Sequence, residues 1–224
     1  MFSAIILAAG HGKRMNYTKK QFFKLKNKMI VEFSVNTFLK ANAAEIILAV
    51  NLSHLTYIKN LFKHQQKIKV VAGGSTRQQS AKNAFLACNK NNKLVLIHDA
   101  ARPFITSEAI KKLVKVAQKT HAATLASFAT DTIKLVKNKK VHTTLDRKNV
   151  VLIQTPQAFD VKLYEKALKL AEKSNLNPTD DCQLVEKMHF PIAIVENSKL
   201  NFKITTTLDL QIAEFLANNL KFET

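Results

Sequence analysis

The chain holds only four glycines, and they fall in two pairs, Gly10 with Gly12 and Gly73 with Gly74. Each pair is followed within three residues by an arginine, Arg14 or Arg77. Where glycine is this scarce, a pair marks positive φ or close approach of the backbone to a ligand. Arginine is equally rare: Arg14, Arg77, Arg102 and Arg147 stand among 31 lysines. A chain that supplies charge as lysine almost everywhere keeps arginine where a planar, bidentate fork is needed, as for phosphate or carboxylate. In "LAAGHGKRM" (7–15), the N–H groups of Gly10 and Gly12 can point at phosphates, with Arg14 and "TKKQ" (18–21) adding charge. The loop lacks the Gly-Lys-Ser/Thr ending of a P-loop and the third glycine of a dinucleotide fingerprint, which argues against ATPase-type and dinucleotide chemistry. An ordinary tight turn stays open for it.

The second pair lies in "AGGSTRQQS" (72–80), where two glycines let a flat group approach and Ser80 and Arg77 can hydrogen-bond it or its phosphates. A third stretch, "HDAARP" (98–103), places Asp99 where it suits Mg²⁺ or a ribose hydroxyl, or else caps a turn. His98 reads as structural, because a single histidine without a second ligand rarely makes a metal site.

Each of these stretches follows a strand-like run: "FSAIILAA" (2–9), "IKVVA" (68–72) and "KLVLIHDA" (93–100). Further strands are expected at 44–50, 122–129 and 191–196, and helices at 29–41, 53–64, 76–88, 106–120, 160–173 and about 180–188. The alternation predicts an α/β fold, a mostly parallel central sheet with helices on both faces. Ligands of such sheets bind at the carboxyl ends of the strands, which gathers the three loops at one edge. The segment 131–159 breaks the rhythm, with strand-like stretches, no helix and a polar "KNKK" turn, and reads as a β-arm inserted into a single domain spanning 1–224. The tail 201–220 reads as a short strand, a Thr-rich cap and a closing helix.

Composition narrows the classes. At 224 residues and 46% hydrophobic content the chain can bury one sizeable core. No apolar run approaches the roughly 20 residues that cross a bilayer, and no signal peptide is read, so no membrane partner is expected. Cys88 and Cys182 have no metal-ligand spacing and read as reduced thiols of a cytoplasmic protein. The net charge of +19 points towards polyanions, but it is carried by scattered lysines with no tryptophan and no basic-aromatic cluster, so it is read as solvated surface and no nucleic-acid partner is expected.

"LAAGHGKRM…KKQ", "AGGSTRQQS", "HDAARPF", "DTIK", "DR…QTPQAF", "TDDCQLVE" and "NFKITTTLDLQIAE" follow the order found in 2-C-methyl-D-erythritol 4-phosphate cytidylyltransferases, and the resemblance runs from about residue 3 to 217. It implies a Rossmann-like nucleotidyltransferase fold and a Mg²⁺-dependent reaction of the non-mevalonate isoprenoid pathway. In that reaction the phosphate of methylerythritol phosphate attacks the α-phosphate of CTP and expels pyrophosphate. By the resemblance, Arg14, Lys20 and Lys203 stabilise the crowded α-phosphate, and Ala8, Ala9, Gly10 and Gly12 bind the triphosphate. Gly73, Gly74 and Ser80 would contact cytosine, with Arg77 supporting their loop. Asp99 and Ala100 would serve the ribose or Mg²⁺, with Arg102 ordering that loop. The arm implies a homodimer in which Thr132 and Arg147 reach the partner's methylerythritol phosphate.

The chain departs from the family at Lys19 and Thr207, where proline is usual, and at "VENS" (195–198), where a glycine is common. Ribitol 5-phosphate cytidylyltransferases have similar loops, but with Ala-Gly-Gly at the first and valine within "HDAVRP"; "AAG", "HDAAR" and "TDD" (179–181) favour methylerythritol phosphate. A basic nucleic-acid-binding module is the alternative of a different class, and it predicts steeply salt-dependent binding.

Overall fold

The structure is a computed structural model that describes residues 1–10, 23–174 and 178–219. Its seven-stranded sheet begins with β1 (Phe2–Ala8), an interior strand next to the central one. A short hairpin of β2 (Lys24–Leu25) and β3 (Lys28–Met29) leads into α1 (Ile30–Lys40). The chain continues through β4 (Glu45–Val50), α2 (Leu55–Leu61), β5 (Ile68–Ala72) and α3 (Arg77–Leu86). It then crosses to the other side of β1 as β6 (Leu94–Asp99), followed by α4 (Ser107–Thr120) and β7 (Ala122–Phe128). After the arm come β10 (Val151–Asp160), α5 (Val161–Lys173), α6 (Cys182–Glu186), β11 (Ala193–Glu196) and α7 (Thr207–Asn219). The sheet order is β11-β7-β10-β6-β1-β4-β5. Strand order reverses between β1 and β6, so their carboxyl ends form the switch-point crevice where open α/β sheets take ligands.

Both faces of the sheet are covered, which explains the near-continuous apolar runs. Ala4 and Ile6 of β1, Ile46 and Leu48 of β4, and Leu94 and Leu96 of β6 face α1, α2 and α4 through Phe38, Ile58 and Leu113. The alternate residues Ile5, Ile47, Val95 and Ile97 face Phe85 of α3, Tyr164 and Leu168 of α5, and Leu184 of α6. A third cluster of Leu25, Ile30, Phe33, Phe104, Ile204 and Ala213 seats α7 beside the β2–β3 hairpin.

Three expectations are corrected. The segment 131–159 is not all arm. The arm is β8 (Ile133–Lys137) and β9 (Lys140–Leu145), joined through Asn138 and Lys139 at φ 50° and 61°, the two positive values of a type I′ hairpin. From Val151 onward the chain is a central strand, β10, antiparallel to both β6 and β7. Its Gln154, Thr155 and Gln157 are polar yet at most 4% exposed, and Pro156 sits at a break in the ladder between Ile153 and Gln157. Polar residues and proline argue against a central strand in sequence; here they are buried because they bond the surrounding loops. The second correction is at 201–206, where no strand forms. Thr206 and Asp209 instead cap α7 reciprocally, Thr206 Oγ1 accepting from Asp209 N (3.1 Å) and Asp209 Oδ2 from Thr206 N (2.8 Å). Thr207 is the first helical residue, a position that accepts proline or threonine alike. The helix expected at 53–64 is a 3₁₀ turn (Leu52–His54) continuing into the shorter α2.

Candidate active site

Three loops meet at the β1/β6 crevice. Gly73 makes the closest approach. Its N–H donates to the Val50 carbonyl (2.7 Å), and a Cβ there would lie 2.4 Å from Cβ of Ala9. Only glycine lets the loop after β5 close against the loop after β1. Gly10 is different: among the described residues a Cβ there would meet nothing within 4 Å. Ala8 and Ala9 are buried beneath it. Gly12, Arg14 and Lys20, with Lys19, lie outside the described residues.

Ser80 is buried at 3% exposure, and its hydroxyl serves its own loop, accepting from Gly74 N (2.9 Å) and donating to the Thr76 carbonyl (2.9 Å). Ser80 therefore shapes the Gly73–Gly74 turn from below. Arg77, expected to support this loop, reaches out of it. Nε donates to Asp99 Oδ1 (3.2 Å) and Nη1 to Asp181 Oδ2 (2.6 Å). Asp99, at the end of β6, accepts on its other oxygen from Lys203 Nζ (2.6 Å). Burial works against the charge of Asp99, but Arg77 and Lys203 outweigh it and hold the carboxyl well below the usual carboxylate range. Burial likewise opposes the charge on Arg77, and Asp181, then Asp99, override it and raise its pKa further.

Lys203 is brought to Asp99 by the backbone. Ile204 N donates to the Ala101 carbonyl (2.9 Å), Arg102 Nη1 to the Asn201 carbonyl (2.8 Å), and buried Asn201 Nδ2 to Gln154 Oε1 and the Thr155 carbonyl. Arg102 thus ties the Asp99 loop to the 201–204 segment, and Ala100, fully buried, fixes the turn by donating its N–H to the Leu7 carbonyl (3.1 Å). His98 is structural as expected. It is fully buried, edge-on to Phe38, with Nδ1 3.1 Å from Thr155 Oγ1 and Nε2 3.3 Å from Ser34 Oγ. Burial pushes its pKa down to about 4, so it is neutral near pH 7.

Two clefts of about 390 Å³ each open on this cluster. One is lined by Arg77, Asp99 and Lys203 together with Gln157, Asp180 and Glu186. The other shares Arg102, Ile153, Gln154 and Lys203 and extends over Phe202 to Thr130 and Asp131 at the foot of the arm. Thr132 and Arg147 are exposed at that foot, Arg147 Nη1 donating to the Thr130 carbonyl (2.9 Å). The structure thus brings Gly73, Gly74, Arg77, Ser80, Asp99, Ala100, Arg102 and Lys203 to the same edge of the sheet, and places Thr132 and Arg147 at the foot of the arm, next to the Thr130, Asp131 and Ile133 that line the second cleft. Sequence reasoning assigned no role to Asp181, Tyr164, Thr155 or Asn201. The "TDD" stretch was the available signal, two adjacent carboxylates in a chain with only 16 acidic residues.

Among the described residues no group of three or more His, Cys, Asp or Glu side chains could hold a metal by itself. Mg²⁺ does not need one, since it commonly takes one or two carboxylates and completes its shell with substrate phosphates and water. Asp99 is ionised and stands at the crevice, and with one oxygen on Arg77 and the other on Lys203 it would offer Mg²⁺ only the remaining lone pairs of each.

A switch-point crevice holding a glycine loop, a glycine-paired second loop and an Asp–Lys–Arg cluster defines a nucleotide-handling enzyme of the α/β class. Comparison with known proteins agrees and goes further. The family model for 2-C-methyl-D-erythritol 4-phosphate cytidylyltransferase matches residues 2–219. The enzyme of that name from Halalkalibacterium halodurans is 39% identical over 218 residues, covering 95% of each chain, and that from Clostridioides difficile is 38% identical, covering 97% of this chain and 94% of the relative. The crystal structure of 4-diphosphocytidyl-2C-methyl-D-erythritol synthase from Anaerococcus prevotii superposes with a TM-score of 0.87 at 31% identity, over 97% of this chain and 98% of that one. The chain belongs to the 2-C-methyl-D-erythritol 4-phosphate cytidylyltransferase family, and it is a nucleotidyltransferase of isoprenoid biosynthesis.

Proposed function

We propose that the protein performs the family's reaction with the loops described above. A phosphate oxygen of methylerythritol phosphate attacks the α-phosphorus of CTP. The new P–O bond forms as the bond to the bridging oxygen of the β-phosphate breaks, and pyrophosphate leaves with that electron pair. No protein nucleophile takes part, so the catalytic contribution is positioning and charge stabilisation. The observation that carries the reading is the Lys203 ammonium held at 2.6 Å on Asp99 in the crevice between β1 and β6, shared by both clefts. A cation there serves the nucleotide phosphate in one cleft and the acceptor phosphate in the other.

The triphosphate lies along Ala8, Ala9, Gly10 and Gly12 with Arg14 and Lys20, and the cytosine lies against the Gly73–Gly74 turn that Ser80 shapes. Asp99, beside Ala100, takes Mg²⁺ or the ribose hydroxyls; when bound, Mg²⁺ adds charge neutralisation at the phosphates. Methylerythritol phosphate occupies the second cleft, and Thr132 and Arg147 of a partner's arm close it. Leu135, Val136, Val141 and Leu145 on the arm are 38–66% exposed, which suits an arm covered by a second copy in a homodimer. Two buried free thiols, Cys88 and Cys182, suit a cytoplasmic enzyme. No helix among the described residues is long and apolar enough to cross a membrane.

Base choice tests the pocket. With the base seated against the Gly73–Gly74 turn, CTP should exceed ATP and GTP in kcat/KM by at least about 10²-fold, with UTP the nearer competitor because only its ring edge differs. Pyrophosphate release measured with each triphosphate checks this, and equal values for CTP and GTP would refute the pocket.

A further inference from the structure

The reaction as read above uses Arg77, Asp99 and Lys203, but the charges do not stop there. Asp181 is 1% exposed and so does not itself face substrate. One of its oxygens accepts from Arg77 Nη1 and the other from the Tyr164 hydroxyl, both at 2.6 Å. The phenol is fixed by the core: Tyr164 is fully buried, stacked on Phe159 at 5.4 Å and edge-on to Phe85 at 5.1 Å. The backbone is fixed as well, since Asp181 N and Cys182 N both donate to Gln157 Oε1 of β10 (2.9 and 3.2 Å). The result is one row of alternating charge, Asp181, Arg77, Asp99, Lys203, anchored at the Tyr164 end in the hydrophobic core.

We propose that Asp181, held by Tyr164, is a positioning residue that keeps Arg77 on a single oxygen of Asp99 and so leaves the other oxygen to aim Lys203. Arg77 uses Nε on Asp99 and Nη1 on Asp181, while Nη2 is buried without a hydrogen-bond partner among the described residues. A guanidinium binds a carboxylate best as a two-pronged fork. Without Asp181, two of its nitrogens would be buried and unsatisfied, a costly state that turning fully onto Asp99 relieves. Both Asp99 oxygens would then be engaged by Arg77, and Lys203 would share its oxygen with the guanidinium instead of holding it alone, which loosens its aim. The inference rests on the functional reading above for the role of Lys203, and on the structure alone for the row of charges.

A double-mutant cycle separates this from a general effect on the fold. Asp181→Asn keeps the shape and removes the charge. It should lower kcat for cytidylyl transfer about 10-fold in the wild-type background and less than 2-fold when Lys203 is already alanine. Tyr164→Phe keeps the aromatic packing and should give a smaller loss, about 3-fold, with the same dependence on Lys203; it carries the cycle if Asp181→Asn does not fold. Equal fold-losses in both backgrounds would overturn the proposal, because a structural defect is blind to Lys203. A second readout needs no turnover. After reductive ¹³C-methylation, the Lys203 signal, assigned by its absence in Lys203→Ala, should move in both variants. An unmoved Lys203 signal also overturns the proposal. A wild-type enzyme inactive with CTP and methylerythritol phosphate would refute the functional reading, leaving the NMR experiment to decide this one.

Discussion

Lys203→Ala should lower kcat by about 10²-fold or more, with a smaller change in the KM for CTP. The magnitude is that of removing one preorganised donor aimed at developing transition-state charge. Lys203 has the geometry for it. Its ammonium sits on Asp99 at 2.6 Å, its side chain is still 32% exposed to the crevice, and its segment is fastened on both sides by Asn201 and Ile204. As a compact point charge on a flexible stem it can turn from Asp99 to an arriving phosphate, whereas Lys203→Arg brings a wide fork that competes with Arg77 for the same carboxylate and should recover only part of the rate. Arg14→Ala and Lys20→Ala should show losses of the same order in steady-state kinetics, with Lys19→Ala near wild type. A normal Lys20→Ala enzyme beside an inactive Lys19→Ala enzyme would move the role to the neighbouring residue.

The second large effect is the return of activity on mixing two inactive enzymes. Arg147 stands at the foot of the arm, its guanidinium spending one hydrogen bond on the Thr130 carbonyl, and β8 and β9 present exposed apolar side chains. If the arm completes the partner's site, Arg14→Ala and Arg147→Ala put their lesions into different halves of a composite site. A heterodimer of the two then carries one site with both lesions and one with neither. Activity should rise from near zero towards half of wild type per heterodimer once subunits exchange. Exchange is verified by native mass spectrometry, and exchange without recovery would mean that Arg147 acts within its own subunit. Lysine at position 147 should rescue poorly, because it offers a point charge where a planar fork grips a phosphate.

Much of this frame is written locally. The buried strands β1, β4 and β6 announce themselves as apolar runs because both sheet faces are covered, and α4 through its Thr106 cap, whose Oγ1 accepts from Ala109 N (3.2 Å). The Gly73–Gly74 pair and the lone Asp99 at a strand end pointed to the crevice by residue type alone. What stayed hidden depends on long-range pairing. β10 carries Gln154, Thr155, Pro156 and Gln157, which read as part of the arm until their hydrogen-bond partners, 23 to 57 residues distant in sequence, are in place. Asp181 meets Arg77 across 104 residues, and Lys203 meets Asp99 across another 104, so no local spacing records either pair. Ser80 illustrates the converse: its position beside the glycines was legible, but not that its hydroxyl would be turned inward on the loop.

The crevice between β1 and β6 is proposed to join CTP to methylerythritol phosphate. Its most direct test is pyrophosphate release by the purified protein with CTP and Mg²⁺, comparing 2-C-methyl-D-erythritol 4-phosphate with ribitol 5-phosphate as acceptor. Stoichiometric release is expected with the first, with 4-diphosphocytidyl-2-C-methyl-D-erythritol as the co-product, and a rate at least about 10²-fold lower with the second. Faster turnover of ribitol 5-phosphate, or CTP binding with no transfer to either acceptor, would contradict it.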